Sequence, residues 1–260
     1  ARGYEAFMFL NGTLGILLIG AAVGTFYTGS AFVLSEDNQV TWQHALRGLE
    51  AAFDPFNVAL GLFLVFLARS LGAMYLVNSL ALDEVPALAA RLRRAAAINL
   101  FIALPFLLFV LARLLFMEGY AVDTAGVVTR EAGKYLANLL ALPVLPALLV
   151  LGLGAVLFGV WCTAQTTRTR GIWFGGLGTF LVGLVVLLLP AYNGTAFYPS
   201  SVALGSSLTI HNASSSRYTL VAMTWVALAI PLVLAYIAWI WRQMNGRKVG
   251  LADTRSKAAY

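Results

Sequence analysis

The stretch GIWFGGLGTFLVGLVVLLLPAY, residues 171–192, decides the fold. It carries no charge, and two arginines, Arg168 and Arg170, stand just before it. At about 1.5 Å of rise per residue, a helix of this length reaches roughly 33 Å, enough to cross the ~30 Å hydrocarbon core of a bilayer. A helix that is apolar on every side has no face to offer water, so this segment predicts a membrane span.

Working outward, five more segments pass the same test. They cover approximately residues 7–34, 55–82, 95–117, 138–163 and 218–241. With 171–192 they predict an all-α, polytopic transmembrane bundle of about six spans, forming a single membrane domain over residues 1–260. The composition agrees. Hydrophobic residues make up 60% of the chain and charged residues only 11%, against roughly 25% charged in a soluble domain. The net charge of +6 would raise the question of nucleic acid on a soluble protein. Here the basic residues sit in short connectors, with no basic stripe interleaved with aromatics, so a nucleic-acid partner is excluded.

The connectors assign sides. Alternate ones hold Arg91, Arg93 and Arg94, then Arg168 and Arg170. The termini add Arg2, Arg242, Arg247, Lys248, Arg255 and Lys257, which makes eleven basic residues on one side against four (Arg47, Arg130, Lys134 and Arg217) on the other. The excess of Lys and Arg marks the cytoplasmic side, so both termini are expected in the cytoplasm. Glu36, Asp37, Glu50, Asp54, Glu118, Asp123 and Glu131 collect in the opposite connectors and agree with that topology.

The outer connector 35–54 contains Trp42, His44 and Leu49 and suggests a short helix lying at the interface. The connector 193–217 is rich in Ser, Asn, Gly and Thr, reads as an ordered polar loop, and includes a glycosylation sequon at Asn212-Ala213-Ser214. Trp161, Trp173, Trp225, Trp239 and Trp241 fall mostly near span ends, as an aromatic belt predicts. The tail 245–260 is polar and expected to fray. The sequence opens Ala1-Arg2-Gly3, without Met or a signal-peptide pattern, which reads as a fragment or a processed product.

Chemistry-bearing residues are few. The single cysteine, Cys162, lies in an apolar run and reads as a small buried hydrophobe. His44 and His211 both lie in connectors without a second imidazole at helical spacing. A metal site or bis-histidine haem site built by this chain alone is therefore not expected. Gly12, Gly15, Gly20 and Gly24 put small residues along the first span, where they permit close helix packing. Two charges remain inside spans, Arg69 near the middle of the second and Arg113 about one turn from the outer end of the third. No Asp or Glu occupies the centre of any span, so the counter-charge of Arg69 must come from elsewhere. A pair buried across a subunit interface is the first reading, and an electrostatic role beside a cofactor or proton route the second. Arg113 is expected to snorkel outward. Phosphate-binding loops and nucleophile elbows are also missing, so the residues alone describe a membrane subunit with no self-contained active site.

Several stretches go further. Gly20-Ala21-Ala22-Val23-Gly24-Thr25-Phe26-Tyr27-Thr28-Gly29-Ser30 closes one span, and Gly48-Leu49-Glu50-Ala51-Ala52-Phe53-Asp54-Pro55-Phe56-Asn57-Val58 opens the next. Arg130-Glu131-Ala132-Gly133-Lys134-Tyr135-Leu136 follows in an outer connector. Most specific are Tyr198-Pro199-Ser200 and the serine-rich run Ser207 to Ser216, which leads through Thr219-Leu220 into Met223-Thr224-Trp225. In this order they resemble subunit II of the cytochrome bd quinol oxidases, over its later part, about six of nine spans.

The resemblance implies a subunit of a membrane-bound terminal oxidase of aerobic respiration, in which quinol is oxidised and dioxygen reduced to water. It implies a scaffold for subunit I, which carries haem b and haem d, with no haem held by this chain. A small single-span accessory subunit, a structural quinone or lipid, and a bacterial or archaeal cytoplasmic membrane belong to the same picture. In a prokaryotic family the sequon carries no weight. Asn11 and Thr13 lie near where a polar residue of the family's proton route would fall, and Arg69 and Arg113 would meet the absent helices or subunit I. Two rivals stay open. A secondary transporter would need broken helices with polar groups at the midplane, and Pro105 and Pro231 interrupt spans without them. A truncated structural subunit without activity is the other.

Overall fold

The structure, a computed structural model, describes residues 2–37, 39–244 and 248–250. Six helices among them are long and apolar enough to cross a membrane. They are α1 (Arg2–Thr28), α2 (Pro55–Ser79), α3 (Pro86–Phe116), α5 (Val144–Gln165), α6 (Gly171–Leu188) and α8 (Arg217–Met244), with short helices α4 (Lys134–Ala141) and α7 (Ile210–Ala213) in the connectors. Of the tail, residues 245–247 and 251–260 lie outside the described residues, and with them Arg247, Arg255 and Lys257.

Local chemistry sets several boundaries that hydropathy alone does not. The first apolar run reaches Leu34, but α1 stops at Thr28 because Gly29 takes φ +79°. A Cβ at Gly29 would also stand 2.6 Å from the Pro199 carbonyl oxygen, so glycine is needed both for conformation and for space. The residues beyond, Phe32–Leu34, form strand β1, paired antiparallel with β2 (Val40–Trp42). The connector 35–54 therefore completes a hairpin, and its short helix is the 3-10 helix Leu49–Phe53. A second hairpin, β3 (Glu118–Val122) with β4 (Val128–Ala132), follows α3. Helix α2 begins where Asp54 Oδ1 accepts from the amides of Phe56 (2.8 Å) and Asn57 (3.3 Å), with Pro55 at the first helical position.

The start of α3 corrects the reading of Arg91, Arg93 and Arg94 as connector residues. The helix begins at Pro86, so all three lie within it. Charge ends the apolar part of a span but does not end a helix, whose backbone bonds are internal. Likewise the run 138–163 is divided, because Pro143 stands between α4 and α5.

The core lies where α1, α2, α3, α5 and α6 meet, and includes Tyr27, Phe56, Met74, Tyr135 and Val185, all fully or almost fully buried. Helices approach closely at glycines. A Cβ on Gly20 would lie 2.5 Å from the Gly61 Cα, and one on Gly61 would lie 2.5 Å from the Leu17 carbonyl oxygen. The α5–α6 seam repeats the device with Gly152 facing Gly178 and Gly159 facing Gly175. Only the second half of α1 joins this core, since residues 3–19 are exposed or half-buried. Helix α8 has no buried residue among those described. Its far end meets α2 through the Tyr75–Trp241 ring contact, and the Leu80–Val249 backbone bridge follows it.

The two ends of the bundle differ. At one end the hairpins and the 193–213 loop interlock through backbone bridges at Ala121–Thr195, Ser30–Ser200 and Tyr198–Leu208. Inside the loop the Ser200 amide donates to Ser207 Oγ at 3.0 Å. Asn57 is fully buried there and donates to the Ala51 carbonyl (2.8 Å) and Thr28 Oγ1 (2.9 Å). Asn138, equally buried, donates to the Leu189 carbonyl and Thr195 Oγ1, both at 2.8 Å. At the opposite end Arg93 reaches across to the chain leaving α5. It donates to the carbonyls of Thr163 (2.6 Å), Thr166 (2.5 Å), Thr167 (3.2 Å) and Arg168 (3.4 Å).

Tyr135, in α4, stacks edge to face on Tyr27 with centroids 4.8 Å apart, and its hydroxyl donates a long 3.5 Å bond to the Tyr27 carbonyl. Burial pushes the Tyr135 phenol well above its ordinary value, and the nearby Tyr120 adds to the shift. A group raised in the folded state contributes fully below its unfolded pKa, about 10 for tyrosine, and that contribution is lost as pH climbs through the raised value. Thermal stability in detergent should therefore fall above about pH 10. Tyr135→Phe should keep neutral-pH stability within about 1 kcal/mol and flatten that alkaline decline. An unchanged alkaline profile would show that another group carries it.

Candidate functional site

The one charged side chain near mid-depth of the described spans is Arg69. It lies fourteen residues after Pro55 and ten before Ser79 in α2, about 21 Å and 15 Å from the two helix ends. Its Nε donates to Asn99 Oδ1 of α3 at 3.1 Å. Asn99 is held for that task, because its Nδ2 donates to the Ala95 carbonyl at 2.7 Å and so turns the amide oxygen outward. The guanidinium carbon also lies 5.4 Å from the ring centroid of Phe9, on the exposed half of α1. The neighbouring Ser70 faces the other way, buried, and donates to the Ala96 carbonyl at 2.8 Å, which locks α2 against α3.

Arg69 thus has one amide and one aromatic face for company, and its side chain is exposed on the surface of this bundle. The ion pairs between standing charges recorded among the described residues are Arg130–Glu118 and Lys134–Glu131, both at the hairpin end, where His44 also faces Glu50. None involves Arg69. A central arginine costs about 2.5–3.5 kcal/mol on insertion scales even after relaxation, so hydrocarbon alone is a poor environment for it.

The other residues singled out from sequence lie apart from a shared centre. Arg113 is exposed in the last turn of α3, in position to reach the interface. Asn11 is exposed and Thr13 half-buried, on the same stretch of α1 as Phe9. Sequence reasoning passed over Asn99 and Phe9. A search for neutral amides inside apolar runs would have found Asn99, and nothing in the sequence marks Phe9.

A second feature is an apolar cavity of about 290 Å³ between α1, α2, α3, α5 and α6, lined by residues such as Val23, Phe63, Leu104, Leu153 and Val186. Its one hydroxyl, on Thr179, is already given to the Gly175 carbonyl at 2.8 Å. The cavity can hold hydrocarbon and offers nothing to a polar headgroup. A cleft of about 490 Å³ at the hairpin end, beside Asp123, Tyr192 and His211, is mixed in character.

The two histidines lie in separate connectors. His44 accepts from the Leu46 amide at 3.2 Å and faces Glu50, while His211 sits in the four-residue α7. No group of three His, Cys, Asp or Glu side chains suited to a metal occurs among the described residues.

Comparison with known proteins decides the family. A model of the cytochrome bd terminal oxidase subunit II family matches residues 1–244. The chain belongs to that family. Relatives of the cytochrome bd terminal oxidase subunit II family include the proteins named cytochrome bd-I ubiquinol oxidase subunit 2 in Escherichia coli strains K12 and O157:H7. Each is 28% identical over 256 residues, which cover 92% of this chain and 64% of the relative. The chain therefore spans a little under two thirds of the length of these relatives. As a family member with six apolar helices, it is a multi-pass membrane protein.

Proposed function

We propose that this chain works as subunit II of a bd-type terminal oxidase in the bacterial inner membrane, inside a complex that oxidises quinol and reduces dioxygen to water. The observation that carries the reading is the family match over residues 1–244. The six helices long and apolar enough to cross a membrane support it. The chain's role is that of a scaffold, with haem b and haem d held by subunit I, as the family implies. When bound there, the haems would supply the electron transfer and dioxygen chemistry.

In this reading residues 1–260 are one membrane domain, and the arginine-rich end faces the cytoplasm. Arg69 and Arg113 are interface residues, and Asn11 and Thr13 lie on the half of α1 that a proton route would pass. The apolar cavity suits the tail of a quinone or a lipid acyl chain. A small single-span subunit would find room along α8.

Purification of the chain from its native membrane in mild detergent tests this. The expected result is haem d absorption with a larger haem-bearing subunit at one-to-one stoichiometry. A haem-free chain running alone would refute it.

A further inference from the structure

We propose that Arg69 and Asn99 are one half of an intramembrane ion-pair site, completed by an Asp or Glu on a transmembrane helix from outside this 260-residue sequence. The inference rests on the reading of the chain as part of a larger membrane complex. It adds the chemistry of the contact and its place.

The geometry presents a fork. Asn99 takes the Nε proton at 3.1 Å and is itself fixed by Ala95, so the guanidinium plane is set from one edge. The two terminal nitrogens make no hydrogen bond recorded among the described residues. They point the end-on pair of donors that matches a carboxylate. Phe9 covers one face of the cation at 5.4 Å and leaves the donor edge open.

Other occupants fail on position or charge. The phosphates of a lipid sit at the interface, and the nearer helix end, Ser79, is ten residues or about 15 Å away, beyond the reach of an arginine side chain. A second copy of this chain cannot serve either. Its eleven acidic residues all lie in connectors, hairpins, helix ends or the tail, so none can stand at mid-depth. A carboxylate carried to that depth by another span fits both the end-on donors and the charge. The surface is ready for one. On the stretch of α1 that carries Phe9, a Cβ at Gly12 or at Gly15 would meet nothing within 4 Å, which leaves a shallow flank where a further helix can approach.

The test uses the complete membrane complex that contains the full chain. Arg69→Lys places a primary amine in the site. Dicyclohexylcarbodiimide activates a carboxyl in apolar surroundings, the amine displaces the activating group, and an amide forms as the urea leaves. The expected product joins position 69 to an Asp or Glu within an apolar segment from outside these 260 residues. Arg69→Met should lower recovery of the assembled complex about tenfold or more, and Arg69→Lys by no more than about twofold. The inference falls if no such amide forms, if the amide joins an acid of this chain, or if Arg69→Met assembles at the unsubstituted level. The cross-link is read by peptide mass and not by haem. A haem-free preparation that still yields it would retire the oxidase reading and leave the ion pair standing.

Discussion

Gly61→Leu is expected to abolish the folded bundle. The α1–α2 crossing is close at Gly20 and Gly61, where even a single added carbon at position 61 would stand 2.5 Å from the Leu17 carbonyl oxygen and 3.1 Å from Leu17 Cδ1. The nearest obstacle is backbone, which cannot swing aside as the end of a side chain can. Four carbons can be accommodated only by moving the helices apart. That separation strips contacts from Leu60 and Phe63, both buried beside the crossing. Overpacking typically costs about 1–3 kcal/mol and more where backbone must shift. In a membrane, association depends on close contact because lipid solvates separated helices equally well. We expect a loss of at least about 3 kcal/mol, seen as failure to recover monodisperse protein. Gly61→Ala should lower the thermal midpoint without abolishing the fold. Normal gel-filtration behaviour of Gly61→Leu would show that the crossing is not as tight as described.

Arg93→Met should be the next most damaging change. One guanidinium satisfies four carbonyls in the chain leaving α5. These are the groups a helix C-terminus leaves unpaired, and the charge also complements the negative end of the helix dipole. Methionine keeps the volume and removes every donor. Thr163 is fully buried, so its carbonyl bond is the hardest to replace with water. The carbonyls nearer the surface regain solvent, which discounts their share. An overall loss of about 2 kcal/mol is expected, with cleavage by added protease concentrated at residues 166–170. Arg93→Lys should recover less than half of it, since an ammonium cannot span the same fan of acceptors. A protease pattern identical to that of the unsubstituted protein would show that the 166–170 segment is held without Arg93.

Which features the sequence revealed follows from where their physics resides. The six spans were legible because hydrophobicity over some twenty residues is a local property of the chain. Their ends were less so. The stop at Thr28 depends on Gly29 meeting Pro199, a contact made across 170 residues of sequence. The start of α3 at Pro86 was hidden because basic residues were read as membrane signals, when Arg93 serves a neighbouring helix as well. The hairpins escaped because β1 blends into the apolar run that ends at Leu34 and the other strands are only three or five residues long. At the candidate site, Arg69 announced itself as a charge among apolar residues. Asn99 and Phe9 join it only through the register of α2 against α3 and α1, which no periodicity in the sequence encodes.

Helix α1 is divided along its own axis. Its second half answers to the glycine crossing and the aromatic core, while its first half, exposed or half-buried, would answer in the proposed complex to the helices beside it. Two independent sets of selective pressures would thus act on one continuous rod. Random substitution should separate them by phenotype. Changes at residues 20–28 would register in the chain taken alone, whereas those at residues 3–19 would be silent there and surface only in the company of its neighbours.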